Sequence, residues 1–326
     1  MGPPEPGYLP QLCPIPHPGN RVGKPIWQEL TVADLVLASA IMGALGVTLG
    51  GILAVAYRRL YVFEDPRIDQ VEAMLPNANC GACGSPGCRA FAEKVVKGEV
   101  EPARCTVSTR AAIVQIANYL GVSAGSQEKR VARLACAGGA NVALNHARYT
   151  GWQTCRGAAL VAGGGKACSW GCLGFGDCAR VCQFDAIRMN EHLLPVVDEA
   201  KCTACGDCVE ICPKQLFSIH PVSHRLWVAC RNLLHGEAAE AVCEVACTAC
   251  GRCAADAPPG LIQIVHNLAV VDYSRNSLAS RAPIERCPTG AIVWFDEHQG
   301  PVKGAEAKKI TRKSALPVAV ADFPRN

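Results

Sequence analysis

The spacing of the cysteines constrains this chain more than any other feature of its sequence. The chain has 326 residues and 21 cysteines, most of them in short runs. One run has the C-x2-C-x2-C-x3-C-P spacing of bacterial iron–sulfur motifs: Cys202, Cys205, Cys208, Cys212 and Pro213. Disulfide-rich domains are typically short and secreted, and zinc favours paired C-x-x-C knuckles, often with histidine. Because the eight histidines are scattered, the pattern favours iron–sulfur clusters over disulfides and zinc.

A partner motif is expected near this run, because its fourth cysteine ligates the other cluster of a pair. The segment CSWGCLGFGDCARVC supplies one with a widened first loop. Crossing the ligands predicts two clusters. The first set is Cys168, Cys172, Cys178 and Cys212, and the second set is Cys182, Cys202, Cys205 and Cys208.

An internal repeat follows, in which CTACGDCVEICP (202–213) returns as CTACGRCAADAP (247–258). Downstream, CPTGAI supplies one more cysteine. Cross-ligation then gives one complete set of ligands: Cys247, Cys250, Cys253 and Cys287. The positions that a companion cluster would need carry other residues: Ala257, Ser277, Ser280 and Pro283. We therefore predict a degenerate module with a single cluster.

Another four-cysteine set precedes these motifs: Cys80, Cys83, Cys88 and Cys105. The first three lie in NCGACGSPGC, where glycines allow the backbone to turn tightly around a cofactor. A short helix is expected over 89–96. A second helix is expected after the fourth cysteine, with one apolar face formed by Ile113, Ile116, Ala117 and Leu120. These helices predict a small helical domain that closes a cluster site.

Four cysteines remain in isolated contexts: Cys136, Cys155, Cys230 and Cys243. They could be buried structural thiols. Alternatively, they hold a fifth cluster, with ligands that flank the paired motifs on both sides. Five groups of four account for 20 of the 21 cysteines and leave only Cys13, so we predict the fifth cluster.

An uncharged apolar stretch of 22 residues, from Leu35 to Ala56, is long enough to span a bilayer as a helix. Arg58 and Arg59 follow it, and the positive-inside rule places the rest of the chain in the cytoplasm. A cleaved signal peptide is the alternative, but the apolar stretch is too long and follows a Pro-rich leader. We therefore predict a retained anchor, with residues 1–30 as an extended arm outside the cytoplasm.

The membrane helix, the acidic stretch FEDP (63–66) and the segment MLPNANCGACGSPGCRAFAE together resemble the B subunit of the Rnf complex. That complex is a membrane-bound, ion-translocating ferredoxin:NAD oxidoreductase. The resemblance covers residues 31–292 and the longer, many-cluster form of the subunit. It implies that electrons pass from a soluble ferredoxin or flavodoxin to a flavin- and NAD-binding partner. Ion pumping would belong to other subunits, and in some relatives the flow is reversed.

Other functions have weaker support. The four-cysteine domain alone also resembles those of corrinoid proteins and their reductive activators, and a paralogous membrane complex with another donor or acceptor stays open. The glycines at 163–165 lack the G-x-G-x-x-G pattern, so a turn beside Cys168 is expected rather than a nucleotide loop. A net charge of +4 gives no argument for nucleic acid. No acid–base pair or nucleophile is visible, so no catalytic residue is expected in this chain.

The predicted fold class is α+β: one N-terminal transmembrane helix, a small helical four-cysteine domain and bacterial-ferredoxin-like modules. The predicted divisions are an arm (1–30), the membrane helix (31–60), the four-cysteine domain (61–125), a two-cluster module (126–245), the degenerate module (246–300) and a solvated basic tail (301–326). We expect a single-pass protein of a bacterial or archaeal plasma membrane. Its five [4Fe-4S] clusters would lie on the cytoplasmic side, and its partners would be the lipid bilayer, ferredoxin and other complex subunits.

Overall fold

A computed structural model describes residues 32–60 and 64–318. The predicted arm with Cys13 and the last eight residues lie outside the described residues. The described part has mixed α and β structure, as predicted. Helix α1 and the chain from Asp65 onward form two separate compact units.

Helix α1 spans Val32–Leu60 and contains the whole predicted apolar stretch. Asp34 lies in its first turn, and Arg58 and Arg59 lie in its last turn. Its mean hydropathy reaches 2.0, and none of its residues is buried within the protein. Among the described residues it is the one helix that is long and apolar enough to cross a membrane.

Three helices form the four-cysteine domain: α2 (Pro66–Met74), α3 (Cys88–Val96) and α4 (Arg110–Leu120). The Thr109 side chain caps α4 by accepting a hydrogen bond from the Ala112 amide, and Gly121 ends the helix in a left-handed conformation. The helices close on a shared apolar core made by Val71, Phe91, Val95 and Ile116. The predicted face of the second helix is the face that packs.

The predicted two-cluster module contains two antiparallel pairs of strands, β1 (Arg130–Leu134) with β4 (Phe217–Pro221) and β2 (Ile187–Met189) with β3 (Pro195–Val197). Its short helices are α5 (Cys155–Leu160), α6 (Asp177–Val181) and α7 (Asp207–Ile211). Helices α6 and α7 pack against each other. Each of these two helices is followed directly by a cysteine, Cys182 or Cys212.

The predicted degenerate module contains a hairpin, β6 (Ile262–Val265) with β7 (Leu268–Val271). Its three-stranded antiparallel sheet has the order β5 (Leu226–Val228), β8 (Ile292–Asp296) and β9 (Gly300–Val302). The helices are α8 (Gly236–Val242), α9 (Arg252–Asp256) and α10 (Ala282–Glu285). Leu261 and Ile284 are among the most deeply buried side chains of its core.

Two predicted boundaries differ from the structure. Strand β5 lies within the predicted first module, yet it pairs with β8 of the second, and one core joins Val142 and Ala143 to Leu261. The modules are therefore packed together, because the apolar face of each covers the other. The basic tail does not begin as a solvated segment, since residues 300–302 form β9.

The basic segment beyond β9 also lies against the body of the protein. The Arg312 guanidinium donates to the Asn141 carbonyl at 2.8 Å and to the Glu244 carboxylate at 2.9 Å. The Leu316 amide donates to the Ala140 carbonyl at 2.9 Å. Backbone hydrogen bonds and ion pairs, among them Arg312 with Glu244, thus hold residues that composition alone placed in solvent.

Candidate metal centres

Four cavities are each lined by four cysteines, and we number these sites II to V. Site II contains Cys182, Cys202, Cys205 and Cys208. Site III contains Cys155, Cys172, Cys178 and Cys212. Site IV contains Cys136, Cys168, Cys230 and Cys243. Site V contains Cys247, Cys250, Cys253 and Cys287.

Sites II and V group the cysteines as the sequence predicts. Sites III and IV differ from the predicted groups by the exchange of one cysteine. The sequence assigned Cys168 to the paired motif, but in the structure Cys155 joins site III and Cys168 joins site IV. Cys168 is separated from Cys172 by three residues instead of the two of a ferredoxin motif. That extra residue was the signal that the first ligand comes from elsewhere.

Asp177 positions Cys155 at site III. Its carboxylate accepts hydrogen bonds from the amides of Cys155, at 2.8 Å, and of Arg156, at 3.3 Å, at the start of α5. Asp177 is buried and forms an ion pair with Arg180. Because Asp177 directly precedes Cys178 in the chain, this hydrogen bond holds the start of α5, with Cys155, next to Cys178. Sequence reasoning missed this residue, which carries no motif of its own.

The four thiols of the helical domain form site I: Cys80, Cys83, Cys88 and Cys105. The Asn79 side chain accepts a hydrogen bond of 2.8 Å from the Cys88 amide and so fixes the start of α3. The Ser108 hydroxyl donates to the Cys105 sulfur at 3.1 Å. Burial raises the pKa of Cys80, and the nearby Cys105 and Cys83 sulfurs raise it further. The helical domain thus brings Cys105 back to Cys80 and Cys83, as the predicted bundle requires.

Backbone amides point at the sulfurs of sites II to IV. In site II, the Ala132 amide lies 3.4 Å from the Cys202 sulfur and the Ala186 amide lies 3.4 Å from the Cys182 sulfur. In site III, the Leu216 amide lies 3.5 Å from the Cys212 sulfur. Amide donors of this kind stabilise thiolate ligands and adjust the reduction potential of a bound cluster.

Burial disfavours free thiolates in these cavities. It raises the pKa of several thiols to about 12: Cys172, Cys178, Cys208, Cys230 and Cys253. It raises the pKa of Cys243 to about 11. A metal that binds thiolate sulfur supplies the positive charge that burial withholds, because coordination removes the thiol proton. The donor sets therefore fit a metal group.

The thiols of sites II to V line the walls of their cavities. Within residues 32–60 and 64–318, no group of three or more His, Cys, Asp or Glu side chains is close enough to hold one metal ion. A side chain at Gly138 would reach into site IV, where its Cβ would lie 3.1 Å from the Cys243 sulfur and 3.6 Å from the Cys136 sulfur. Site IV therefore leaves no space for a side chain at position 138, and its four thiols form a donor set that fits an iron–sulfur cluster.

Sites II to V follow one another in series. Helix α6 carries Cys178 of site III and is followed by Cys182 of site II. Helix α7 carries Cys208 of site II and is followed by Cys212 of site III. The Cys172 amide of site III donates to the Cys136 sulfur of site IV at 3.4 Å. The Cys247 amide of site V donates to the Cys230 sulfur of site IV at 3.3 Å. Three of the isolated cysteines, Cys136, Cys230 and Cys243, therefore lie between the two ferredoxin-like modules.

Two other sequence predictions concern the surroundings of these sites. The glycines at 163–165 do form a turn before Cys168, with positive φ at all three. At the positions of the absent companion cluster, Ala257 packs against the apolar core and Pro283 is buried, whereas Ser277 and Ser280 are exposed. Ile284 is only 1% exposed. Apolar side chains therefore pack in the region where a complete two-cluster module would hold its companion cluster.

Two family models match the chain at cysteine motifs. The FeS family, which describes an Fe-S cluster domain, matches residues 75–107 around site I. The Fer4_6 family, described as a 4Fe-4S binding domain, matches residues 194–217, which contain the run from Cys202 to Cys212. Multiple [4Fe-4S] clusters are therefore the cofactors of this chain.

The cluster sites and the apolar helix define a membrane-associated iron–sulfur electron-transfer protein. The chain is 40% identical over 79% of its length to the B subunit of the Na(+)-translocating ferredoxin:NAD(+) oxidoreductase complex of Acetobacterium woodii, of which 77% is covered. It is 40% identical to the proton-translocating counterpart of Clostridium ljungdahlii and 35% identical to the B subunit of the ion-translocating oxidoreductase complex of Methanosarcina acetivorans. It covers 92% and 97% of these two relatives. The chain belongs to this family of Rnf complex B subunits.

Membership in the family confirms the predicted resemblance and makes this chain one subunit of a multi-subunit complex. A bound cluster supplies one-electron chemistry that requires little rearrangement. The chain itself supplies the thiolates, the amides directed at them and the burial that excludes water. This arrangement can conduct electrons without a catalytic side chain.

Proposed function

We propose that this chain is a single-pass, membrane-anchored relay. It takes electrons from a reduced soluble ferredoxin, or a flavodoxin, and passes them to the flavin- and NAD-binding part of an Rnf-type complex. The relatives from Acetobacterium woodii and Clostridium ljungdahlii are named as ferredoxin:NAD(+) oxidoreductase subunits. The arginines at the end of α1 favour a cytoplasmic location for the sites that follow.

The relay would contain five [4Fe-4S] clusters, held by the thiols of sites I to V. The observation that carries this proposal is the series of sites II to V. The backbone amides of Cys172 in site III and of Cys247 in site V each donate a hydrogen bond to a cysteine sulfur of site IV. Site IV would then be the connection between the two modules. Three of the cysteines that form it, Cys136, Cys230 and Cys243, have no short motif in the sequence, yet the order of the sites gives them the central position.

The test is a variant that removes site IV from an otherwise intact relay. Cys136→Ser removes a thiol whose sulfur accepts amides of both Gly138 and Cys172, each at 3.4 Å. We expect the assembled complex to lose most of its ferredoxin-dependent NAD reduction, because electrons cannot cross between the modules. Iron analysis should show loss of about four irons per chain, with the other clusters retained.

A matched control separates conduction from folding. Cys13→Ser changes a cysteine that belongs to none of the five predicted ligand sets, and both the iron content and the activity should stay unchanged. If Cys136→Ser lost its four irons and kept full activity, site IV would not be on the electron path. That result would refute the proposed order of the sites.

A further inference from the structure

Lys166 lies between site III and site IV without a carboxylate partner. Its ammonium group donates to the Gly138 carbonyl at 2.6 Å and to the Cys172 carbonyl at 2.5 Å. Gly138 lines site IV together with Lys166 itself, and Cys172 is a thiol of site III. Among the described residues, no Asp or Glu oxygen lies within 4.0 Å of this ammonium as an ion pair. The two carbonyls therefore hold a half-buried positive charge beside two groups of thiols.

Such a charge acts on the redox equilibrium of an adjacent cluster. Reduction adds one electron and makes the cluster more negative by one charge, without forming or breaking a bond. A fixed cation nearby favours the more negative state, and partial burial limits the screening of this attraction by solvent. The two hydrogen bonds to carbonyl groups keep the Lys166 ammonium in place, so the effect does not depend on a mobile side chain.

We propose that Lys166 is a positioning residue that raises the reduction potential of site IV and, to a smaller extent, of site III. The lysine provides the charge, and the Gly138 and Cys172 carbonyls fix its place. Site IV is the connection between the modules, so a raised reduction potential there stabilises the electron while it occupies this site. The inference rests on the proposed assignment of a cluster to site IV.

The test measures potentials rather than turnover. Lys166→Gln keeps a side-chain donor for a carbonyl and removes the charge, whereas Lys166→Arg keeps the charge. The full-length protein, solubilised in detergent under anaerobic conditions, is titrated with dithionite and followed by electron paramagnetic resonance. The signal of site IV is identified as the one missing from Cys136→Ser protein.

We expect the ratio of reduced to oxidised cluster at site IV, at a fixed solution potential, to fall about tenfold in Lys166→Gln. For a one-electron couple this corresponds to about 59 mV. Lys166→Arg should stay close to the unmodified protein. The control is Lys129→Gln, since the exposed Lys129 also donates to a carbonyl, that of Ala200 at 3.0 Å, and its loss should leave site IV unchanged.

Three outcomes would overturn this inference. One is an unchanged potential in Lys166→Gln, and another is an equal shift in Lys129→Gln. The third is loss of the site IV irons in Lys166→Gln, which would make Lys166 structural. Absence of iron from site IV in the unmodified protein would instead refute the cluster assignment on which the inference rests, so the two failures are distinguishable.

Discussion

At the scale of single residues, Cys155 and Cys168 show how one thiol is assigned to a site. Cys155 begins helix α5, where the Asp177 carboxylate fixes its amide beside Cys178. Cys168 follows the glycine turn and faces the isolated cysteines instead. Neither cysteine has the two-residue spacing of a ferredoxin motif to its neighbours. The path of the loop between them therefore decides which site receives each thiol.

A pair of double variants tests this partition. If Cys155 and Cys178 share site III, Cys155→Ser/Cys178→Ser should lose about four irons, no more than either single variant, because both changes remove the same cluster. Cys168→Ser/Cys178→Ser should lose about eight, because two clusters are affected. Iron and sulfide analysis of anaerobically purified protein measures both. The reverse pattern would restore the grouping predicted from the sequence.

His220 and His224 form a contacting pair of titratable side chains. Their Nδ1 atoms are 3.1 Å apart, and the His224 ring stacks on Tyr273 with a centroid distance of 4.2 Å. Burial, together with His224 and the nearby arginines, lowers the pKa of His220 to about 4. Burial also lowers the pKa of His224, although Glu128 opposes this shift.

This pair predicts a pH dependence of stability. Both histidines have lower pKa values in the folded than in the unfolded chain, where the ordinary value is about 6.5. The unfolded chain therefore binds protons first as the pH falls, and the stability present above about pH 6.5 is lost progressively towards pH 4. Among the groups facing them are Arg130, Arg133, Glu128 and Tyr273, and burial raises the pKa of Tyr273 well above this range.

The measurement compares the thermal unfolding of the unmodified protein and of His220→Phe at pH 7 and pH 5. Phenylalanine keeps an aromatic ring against Trp227 and Tyr273 but cannot bind a proton. We expect a smaller difference between the two melting temperatures in the variant. An equal difference in both proteins would show that other groups, including the clusters, dominate the acid sensitivity.

At the scale of elements, the turn at 163–165 connects α5 to Cys168. All three glycines have positive φ, but their surroundings differ. A Cβ at Gly165 would lie 2.3 Å from the Ala147 carbonyl oxygen, whereas the nearest atom to a Cβ at Gly163 is the Lys214 Nζ at 3.9 Å. The backbone at Gly165 therefore lies too close to Ala147 for any side chain at position 165.

Substitution by alanine should separate strain from collision. Gly163→Ala adds only the cost of a left-handed conformation, about 1 kcal/mol. Gly165→Ala adds this cost and a steric collision, so it should lower the melting temperature further and release iron from site IV. Thermal unfolding and iron content of the two variants measure the difference. Equal behaviour would mean that residue 147 moves aside without affecting Cys168.

At the scale of the whole molecule, the cysteine count, the cavities and the family agree on several clusters. Five [4Fe-4S] clusters predict about 20 irons per chain with matching sulfide and negligible zinc. Purified, detergent-solubilised protein prepared without oxygen gives this number directly. A value near 16 would leave one of the five sites without a cluster, and zinc in place of iron would refute the redox function.

The sequence alone determined the features that depend on short spacings. The paired motifs, the repeat with its missing companion site, the helical face in the four-cysteine domain and the apolar helix all follow from residues close together in the chain. Their physical reasons are local: a cysteine run must wrap one cofactor, and an uncharged stretch must reach across a bilayer.

Only the tertiary structure decided how distant residues combine. It put Cys168 in place of Cys155 beside the other isolated cysteines, and it set Lys166 between two sites. It also joined β5 to the second module through β8. These contacts join residues far apart in the chain. They depend on loop paths and shared apolar packing, which short motifs in the sequence do not specify.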